Sequence, residues 1–386
     1  MSTAWQTRSS NVLRQGEPMR PFKLERYFAK YEFNSRYLLS ASDCESLSLQ
    51  DLLQMATPES LETWNRLKLG YTESQGHPGL RTEVAGLYQH ISPDHVLVAA
   101  PEEAIFIAMH TLLRSGDHVI AVSPAYQSLY EIGSSVGCEV TPWKFELEGA
   151  RWQLDIDRLE RSITSRTRLL VVNFPHNPTG YTPTRCTLDR IVALARANGL
   201  YLFSDEMYRL LEPEAAIQLP AVCDIYEKGI SLSGLSKAFA LPGLRIGWLA
   251  TQDHGLVDRC LEYKDYTTIC SSAPSEILGM IALQSKAKIL RRNLDMIREN
   301  TTLAEEFFSG WKKDFLWVPP LAGSVAFPLW MGAGTVERLA EDLLKSQGVM
   351  IVPGYLFEFP GNHFRMGLGR RNFGEALGRL KAYLEA

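Results

Sequence analysis

The sequence predicts an α/β protein whose largest domain is built on a mainly parallel β-sheet. Two patterns lead to this prediction. Short apolar stretches rich in β-branched residues recur along the chain, at 118–124, 168–175, 200–205, 229–233 and 244–250. Amphipathic helical patterns lie between them, as at 104–114 and 187–198. Buried strands that alternate with helices form parallel sheets that helices cover on both faces.

The pattern changes after Pro274, where a second and smaller unit is predicted. The helical pattern is nearly continuous over 275–311, because no proline interrupts it before Pro319. Strand-like stretches and helical stretches then alternate, at 324–330, 335–346, 349–353, 363–368 and 374–385. We therefore expect an N-terminal segment that packs on the small domain, a large domain, and a connecting helix with a small α/β C-terminal domain, at 1–46, 47–285 and 286–386.

Composition argues against several classes of protein. The net charge of −4 argues against binding to nucleic acid or to an acidic membrane surface. No stretch of about 18 apolar residues occurs, so no transmembrane helix is expected, and the first twenty residues lack the apolar run of a secretory signal. The six cysteines are scattered, without CxxC pairs or metal-ligand spacing from a histidine. We expect reduced thiols, no metal site and a cytoplasmic location.

The segment Ser-Gly-Leu-Ser-Lys at 233–237 follows an apolar stretch and is the first candidate for chemistry. A lysine in a loop of small residues after a buried strand is costly to bury without a partner. Burial lowers the pKa of an amine, which suits a nucleophile or a Schiff-base former. The alternative interpretation is that Lys237 is a solvated loop lysine, and this segment alone does not separate the two.

Three further segments place polar residues beside predicted strands. Asn177 begins Asn-Pro-Thr-Gly, which is either a simple turn or a ligand contact at the end of a parallel strand. Asp205 ends an apolar stretch and is either a helix N-cap or a carboxylate that needs a cationic or hydrogen-bonding partner. Arg365 lies within a predicted strand, where it forms either a structural ion pair or a bidentate site for a carboxylate.

Taken together, these segments resemble the class I and II aminotransferases, which are fold-type-I enzymes that use pyridoxal 5′-phosphate (PLP). The similarity extends from about Leu69 to Arg365, and its matching segments are Tyr71–Arg81, Ser123–Tyr126, Asn177–Gly180, Asp205–Tyr208, Ser236-Lys237, Arg245 and Arg365. The stretches 171–180, 231–248 and 348–357 are most similar to the branch that includes capreomycidine synthase. The resemblance implies a seven-stranded, mainly parallel sheet between helices in the large domain, and PLP as the cofactor.

The resemblance also assigns the reacting groups. Lys237 is implied to form the Schiff base with PLP and to move the proton between the substrate Cα and the cofactor. Asp205 is implied to pair with the pyridine nitrogen and keep it protonated. Asn177 and Tyr208 are implied to hydrogen-bond the 3′-oxygen of the ring, and Tyr126 is implied to stack on the ring face.

The 5′-phosphate is implied to bind Arg245 and Ser236, together with backbone N–H groups at the start of a helix. The family normally has a glycine-containing turn there, whereas this sequence reads Ala-Pro-Glu-Glu at 100–103. Proline has no N–H to donate. We therefore expect the amides of Glu102 and Glu103 to donate to the phosphate instead.

The resemblance also implies which residues contact the partner subunit and which bind the substrate. Tyr71 resembles the tyrosine that family members contribute from the partner subunit, which implies at least a homodimer. Arg365 is implied to bind the substrate α-carboxylate with help from Asn177. The resemblance places a histidine of the related cyclases near the position of Glu45. A carboxylate there would suit a cationic side chain such as that of arginine, unless Glu45 is a solvated loop residue.

The resemblance favours transfer of an amino group from an L-amino acid to a 2-oxo acid, with Lys237, Asp205 and Tyr208 as catalytic residues. The alternative is cyclisation or elimination on an arginine-like amino acid, because PLP chemistry depends on which Cα bond stands perpendicular to the ring. A third hypothesis is an aminotransferase-like sensor fused to a DNA-binding module. The absence of a basic arm disfavours it.

Overall fold

The computed structural model describes residues 18–386. The prediction that the chain starts without a secretory signal therefore falls mostly outside the described residues. The α-helices of the described part are α1 Lys23–Tyr31, α2 Leu49–Leu53, α3 Pro58–Asn65, α4 Pro78–Ala85, α5 Pro101–Leu112, α6 Ser128–Val136, α7 Ile156–Ser162, α8 Arg185–Ala197, α9 Val222–Ile225, α10 His254–Lys264, α11 Ala273–Gln284, α12 Lys286–Gly310, α13 Val336–Gln347 and α14 Phe373–Leu384.

The strands are β1 Val96–Ala99, β2 His118–Ser123, β3 Glu139–Lys144, β4 Glu146–Glu148, β5 Arg151–Gln153, β6 Thr167–Asn173, β7 Tyr201–Asp205, β8 Gly229–Gly234, β9 Gly247–Thr251, β10 Phe315–Leu316, β11 Val325–Ala326, β12 Leu329–Trp330, β13 Val352–Pro353 and β14 Phe364–Gly367. No helix within residues 18–386 combines the length and the apolar character needed to cross a bilayer.

The predicted seven-stranded, mainly parallel sheet is confirmed. Its strand order is β1-β9-β8-β7-β6-β2-β3, and only β9 runs antiparallel to its neighbours. The central strands are buried on both faces, as their apolar, β-branched sequences require. The predicted strand at 244–250 begins only at Gly247, because a 3₁₀ turn at Pro242–Leu244 and a left-handed Arg245 precede it.

The loops that carry the candidate residues lie at one edge of this sheet. The strands β2, β6, β7 and β8 are parallel, and β1 runs the same way because β1 and β8 both pair antiparallel with β9. Their carboxyl ends therefore meet at one edge, where α/β sheets bind ligands. The start of β9 reaches the same edge from the opposite direction.

The C-terminal part differs from its prediction in two details. The continuous helix expected over 275–311 is two helices, α11 and α12, which separate at Ser285. The strand-like stretch at 324–330 is two short strands, β11 and β12, of which β11 joins β14 and β13 in a small antiparallel sheet. The helices α13 and α14 match the predicted helices at 335–346 and 374–385.

The N-terminal segment lies across both parts of the chain. Tyr37 forms a parallel bridge with Val349, and the backbone N–H of Gly367 donates to the Leu39 carbonyl at 2.7 Å. On the other side, the backbone N–H of Lys23 at the start of α1 donates to the Gln127 side chain at 2.9 Å. Because a Cβ atom at Gly367 would overlap the Ala41 carbonyl, glycine is required for this close approach. The division of the chain into three domains stays a prediction.

Candidate active site

A cavity of about 400 Å³ opens at the carboxyl edge of the large sheet, between that edge, α1 and β14. Most of the residues singled out from the sequence line this one cavity. They are Glu102, Tyr126, Asn177, Asp205, Tyr208, Ser236, Lys237, Arg245 and Arg365. The three that do not line it are Glu45, Glu103 and Tyr71.

Lys237 reaches the cavity from the turn that follows β8. Its Nζ donates a hydrogen bond of 2.8 Å to Ser42 Oγ, which lies on the N-terminal segment. The neighbouring β9 begins at Gly247 and lies close to the start of α5. Glycine permits this close approach, because a Cβ at position 247 would overlap Pro101. Lys237 is thus a cavity lysine and not a solvated loop lysine.

Asp205 ends β7 and is 6% exposed. Its Oδ1 accepts the backbone N–H of Met207 at 3.1 Å, and no α-helix begins there, so the helix N-cap interpretation is wrong. Burial raises the pKa of Asp205 to about 6, while the Met207 N–H and the charge of Lys237 act in the opposite direction. A cationic ligand beside this carboxylate would favour its ionised form.

Arg365 lies in β14 and is 1% exposed. Its Nη1 donates to Asn177 Oδ1 at 3.2 Å and its Nη2 to the Ser40 carbonyl at 2.9 Å, while its Nε has no partner. Among residues 18–386 it forms no ion pair, so the structural ion pair considered as an alternative is not present in the described part. Burial lowers the pKa of Arg365. A buried guanidinium with a free N–H is suited to bind a carboxylate ligand.

The loop that carries Asn177 is held by Asn173, the last residue of β6. The Asn173 side chain accepts the Asn177 backbone N–H at 2.8 Å and donates to the Asp205 carbonyl at 2.8 Å. His176 links the same loop to the turn before Tyr126 through the Pro124 carbonyl, at 2.7 Å. These contacts hold the ends of β2, β6 and β7 in one arrangement.

The start of α5 is a candidate anion site. Its first intrahelical bond runs from the Ala104 N–H to the Ala100 carbonyl at 2.8 Å, so the amides of Glu102 and Glu103 precede the hydrogen-bonded ladder. A helix N-terminus of this kind attracts anions. Ser236 Oγ is buried without a partner in the same cavity.

Arg245 lies beside this helix start in a strained conformation. Its φ of 55° is in the left-handed region, which costs a residue with a Cβ about 1–2 kcal/mol. Its Nη1 donates to the Pro242 carbonyl at 2.8 Å and its side chain lines the cavity. Strain of this kind is typical of ligand-binding positions.

Three predicted residues lie away from the cavity. The Glu45 carboxylate is 4.0 Å from Arg370 Nη1, is 37% exposed and does not line the cavity, so its contact with a substrate stays a prediction. Oε1 of Glu103 accepts the hydroxyls of Thr267 and Thr268 at 2.6 and 2.7 Å, and Oε2 accepts the Ala100 backbone N–H at 3.4 Å, so the carboxylate faces away from the cavity. Tyr71 is 92% exposed and lies outside the cavity of its own chain.

The sequence patterns missed the residues that the N-terminal segment contributes. Glu25 and Phe28 of α1, Glu32 just after it, and the loop residues Ser42 and Asp43 all line the cavity. The hydroxyl of Tyr126 donates to Glu25 Oε1 at 2.8 Å. No strand, turn signal or short motif marks these positions. Only the tertiary packing of the segment brings them to the site.

The residues present fit the PLP that the resemblance implies. Tyr208 Oη, Ser236 Oγ and Arg365 Nε are buried without hydrogen-bond partners, and all three residues line the cavity. Such groups are costly unless a ligand satisfies them. An amine at Lys237 and a buried carboxylate at Asp205 complete a site for a ligand that carries a carbonyl and a basic nitrogen.

Comparisons with known proteins agree with this geometry. The family model for aminotransferase class I and II matches residues 38–375. Capreomycidine synthase of Streptomyces vinaceus is 29% identical over 91% of this chain and 88% of its own length. Among solved structures, a PLP-dependent aminotransferase from Streptococcus suis has a TM-score of 0.89 and 30% identity, covering 95% of this chain and 98% of its own. The PLP-dependent cyclase OrfR has a TM-score of 0.87 and 26% identity, covering 97% and 99%.

Proposed function

Because this chain belongs to the class I and II aminotransferase family, we propose that it transfers an amino group from an L-amino acid to a 2-oxo acid. Its cofactor is PLP, and its fold is that of the fold-type-I PLP enzymes. When bound, PLP supplies an aldehyde that combines with amino groups and a ring that withdraws electrons from the substrate Cα.

One observation carries the proposal: Lys237, Asp205 and Arg365 line a single cavity although they lie far apart in the sequence. Lys237 provides an amine that can take a proton from the substrate Cα and return it at another atom. Asp205 provides a buried carboxylate that holds a proton on a ring nitrogen. Arg365 fixes the substrate α-carboxylate, with Asn177 as its neighbour at 3.2 Å.

The remaining groups position the reactants. Tyr208 has a free hydroxyl and Asn177 an amide with which to hydrogen-bond the ring oxygen. Tyr126 is held by its hydrogen bond to Glu25, so its ring can stack on a flat ligand. Ser236, Arg245 and the amides at the start of α5 form the anion end of the cavity, where a phosphate would bind.

The active unit is a homodimer in this proposal, with Tyr71 contributed across the interface. Tyr71 and Leu69 lie two residues apart and are 92% and 85% exposed, so both side chains are available for contact with a partner subunit. We also place the enzyme in the cytoplasm, since all six cysteines are free thiols.

The test is a half-reaction. Purified holoenzyme is mixed with single L-amino acids in the absence of any 2-oxo acid, and the absorbance of the bound cofactor is followed. An aminotransferase transfers the amino group to the cofactor, so the visible band is lost and a near-ultraviolet band appears. Addition of a 2-oxo acid restores the visible band. Failure of every amino acid to produce the change would reject the proposal.

A second candidate is cyclisation or elimination on an arginine-like amino acid. It is favoured by the similarity to capreomycidine synthase and to the PLP-dependent cyclase OrfR. The same experiment separates the two functions. A cyclase or lyase releases a product from its amino acid while the cofactor returns to its starting spectrum without a 2-oxo acid.

A further inference from the structure

The N-terminal side of the cavity is acidic. Glu25 on α1, Glu32 in the 3₁₀ turn that follows it, and Asp43 in the next loop all line the cavity. We call these three residues the acidic wall. Glu25 also accepts the hydroxyl of Tyr126 at 2.8 Å, whereas Glu32 and Asp43 have no part in the cofactor site of the proposed function.

Two of the three carboxylates of the acidic wall lack an ion-pair partner among residues 18–386. Asp43 pairs with Arg370 at 2.9 Å, but neither Glu25 nor Glu32 forms an ion pair with any residue that the structure describes. Burial raises the pKa of Glu32, and the like charges of Asp43 and Glu25 act in the same direction, whereas the charges of Arg370 and Lys237 lower it. A cation placed among these carboxylates would relieve that repulsion.

A substrate held by Arg365 would meet the acidic wall. Arg365 lines the same cavity, is 1% exposed and has an Nε without a hydrogen-bond partner. These features indicate that Arg365 binds a carboxylate ligand inside the cavity. The charges of Glu25 and Asp43 lie close enough to act on Arg365. An amino acid bound through its α-carboxylate therefore has carboxylates within reach of its side chain.

We propose, on the basis of the proposed function, that Glu25 and Glu32 select amino acids whose side chain ends in an amine or guanidinium. The acidic wall would repel an acidic side chain. A neutral side chain would not compensate the negative charge of the wall. A metal ion does not account for these carboxylates, because no three His, Cys, Asp or Glu side chains among residues 18–386 are arranged to hold one. In this proposal the acidic wall, and not Glu45, meets the cationic side chain.

The experiment compares amino acids that match in length and differ in charge. L-arginine is paired with L-citrulline, and L-lysine with L-2-aminoheptanoic acid, in the half-reaction of the holoenzyme. The apparent second-order rate constant of the half-reaction is expected to be at least about tenfold higher for the charged member of each pair than for the neutral member. A difference of this size is expected for a charge-assisted hydrogen bond. Glu25→Gln and Glu32→Gln are each expected to reduce the arginine-to-citrulline ratio severalfold.

Glu45→Gln is the matched control, because Glu45 is a nearby carboxylate outside the cavity, and it should keep the wild-type ratio. A ratio near one in the wild type, or a ratio that neither cavity variant changes, would overturn the charge preference. Reaction with neutral amino acids as fast as with cationic ones would leave the proposed aminotransferase function intact. If no amino acid changes the spectrum, both proposals are wrong.

Discussion

The amine of Lys237 donates a hydrogen bond of 2.8 Å to the hydroxyl of Ser42, which lies 195 residues earlier in the chain. This contact joins the turn after β8 to the N-terminal segment. The lysine is therefore held at the boundary between the sheet edge and the segment that covers it. Its amine can turn from Ser42 to a ligand within the cavity without a change of the backbone.

Replacement of Lys237 by alanine should remove both turnover and the visible absorbance of bound cofactor. The reason is that Lys237 supplies the only lysine amine among the residues that line the cavity. Absorbance spectra of the purified variant and half-reactions with amino acids measure the two effects. Ser42→Ala removes only the hydrogen-bond partner of the lysine and should keep the visible band. A Lys237→Ala variant with the wild-type spectrum would contradict the assignment.

Replacement of Arg365 by alanine should weaken amino-acid substrates through KM. The lost contact is a charge-assisted, bidentate one worth about 1.5–3 kcal/mol, which corresponds to roughly 10- to 100-fold in kcat/KM. Steady-state kinetics with one amino donor measure the change. Arg371→Ala, which removes an exposed arginine nearby, should have no such effect. An unchanged KM in the Arg365 variant would refute its role as the carboxylate site.

Replacement of Tyr71 by phenylalanine should loosen PLP without loss of the fold. The hydroxyl is expected to reach the phosphate of the partner subunit, and a hydrogen bond to a charged group of this kind corresponds to roughly tenfold in affinity. Dialysis against cofactor-free buffer, followed by measurement of residual absorbance, tests this. Tyr266→Phe is the control, because Tyr266 is equally exposed at 92%. Equal retention in both variants would mean that Tyr71 does not cross the interface.

The part of the site built on the sheet could be predicted from the sequence, and the part built on the N-terminal segment could not. Asp205 ends a buried apolar strand, and Asn177 and Lys237 follow two others, so local pattern and the geometry of parallel sheets place them at one edge. Glu25 and Ser42 lie in a segment with no such pattern. Their position depends on backbone contacts to distant strands, which local sequence does not encode.

The fold shows the same division. No proline or glycine marks the break between α11 and α12. The residue at the break is Ser285, whose hydroxyl donates a hydrogen bond of 3.0 Å to the Met55 carbonyl in a distant segment. The edge strand β3 was not predicted, since only one of its six residues is buried and Pro142 lies within it. Long apolar patterns were therefore predictable, and boundaries set by contacts with other segments were not.

Replacement of Glu102 by glutamine should alter how PLP affinity depends on pH. The pKa of Glu102 is raised to about 7, mainly by burial and also by the charges of Glu25 and Asp205. The Ser128 hydroxyl and the charge of Arg245 act in the opposite direction. The carboxyl is thus neutral below about pH 7 and becomes a carboxylate beside the anion end of the cavity above it. The wild type should lose affinity relative to the glutamine variant as the pH rises from about 6 to 8. Titration of apoenzyme with PLP at several pH values measures this.

The comparison of variants is needed because PLP titrates as well. A phosphate monoester loses its second proton near pH 6, which changes affinity for every variant in the same way. The ratio of the two dissociation constants cancels that contribution and leaves the effect of the Glu102 carboxyl. Glu103→Gln is the control, because the Glu103 carboxylate contacts Thr267 and Thr268 and lies outside the cavity, so this variant should follow the wild-type profile. If the wild type and the Glu102 variant give parallel profiles, the carboxyl does not face the phosphate, and the anion end of the cavity is formed by the helix amides, Ser236 and Arg245 alone.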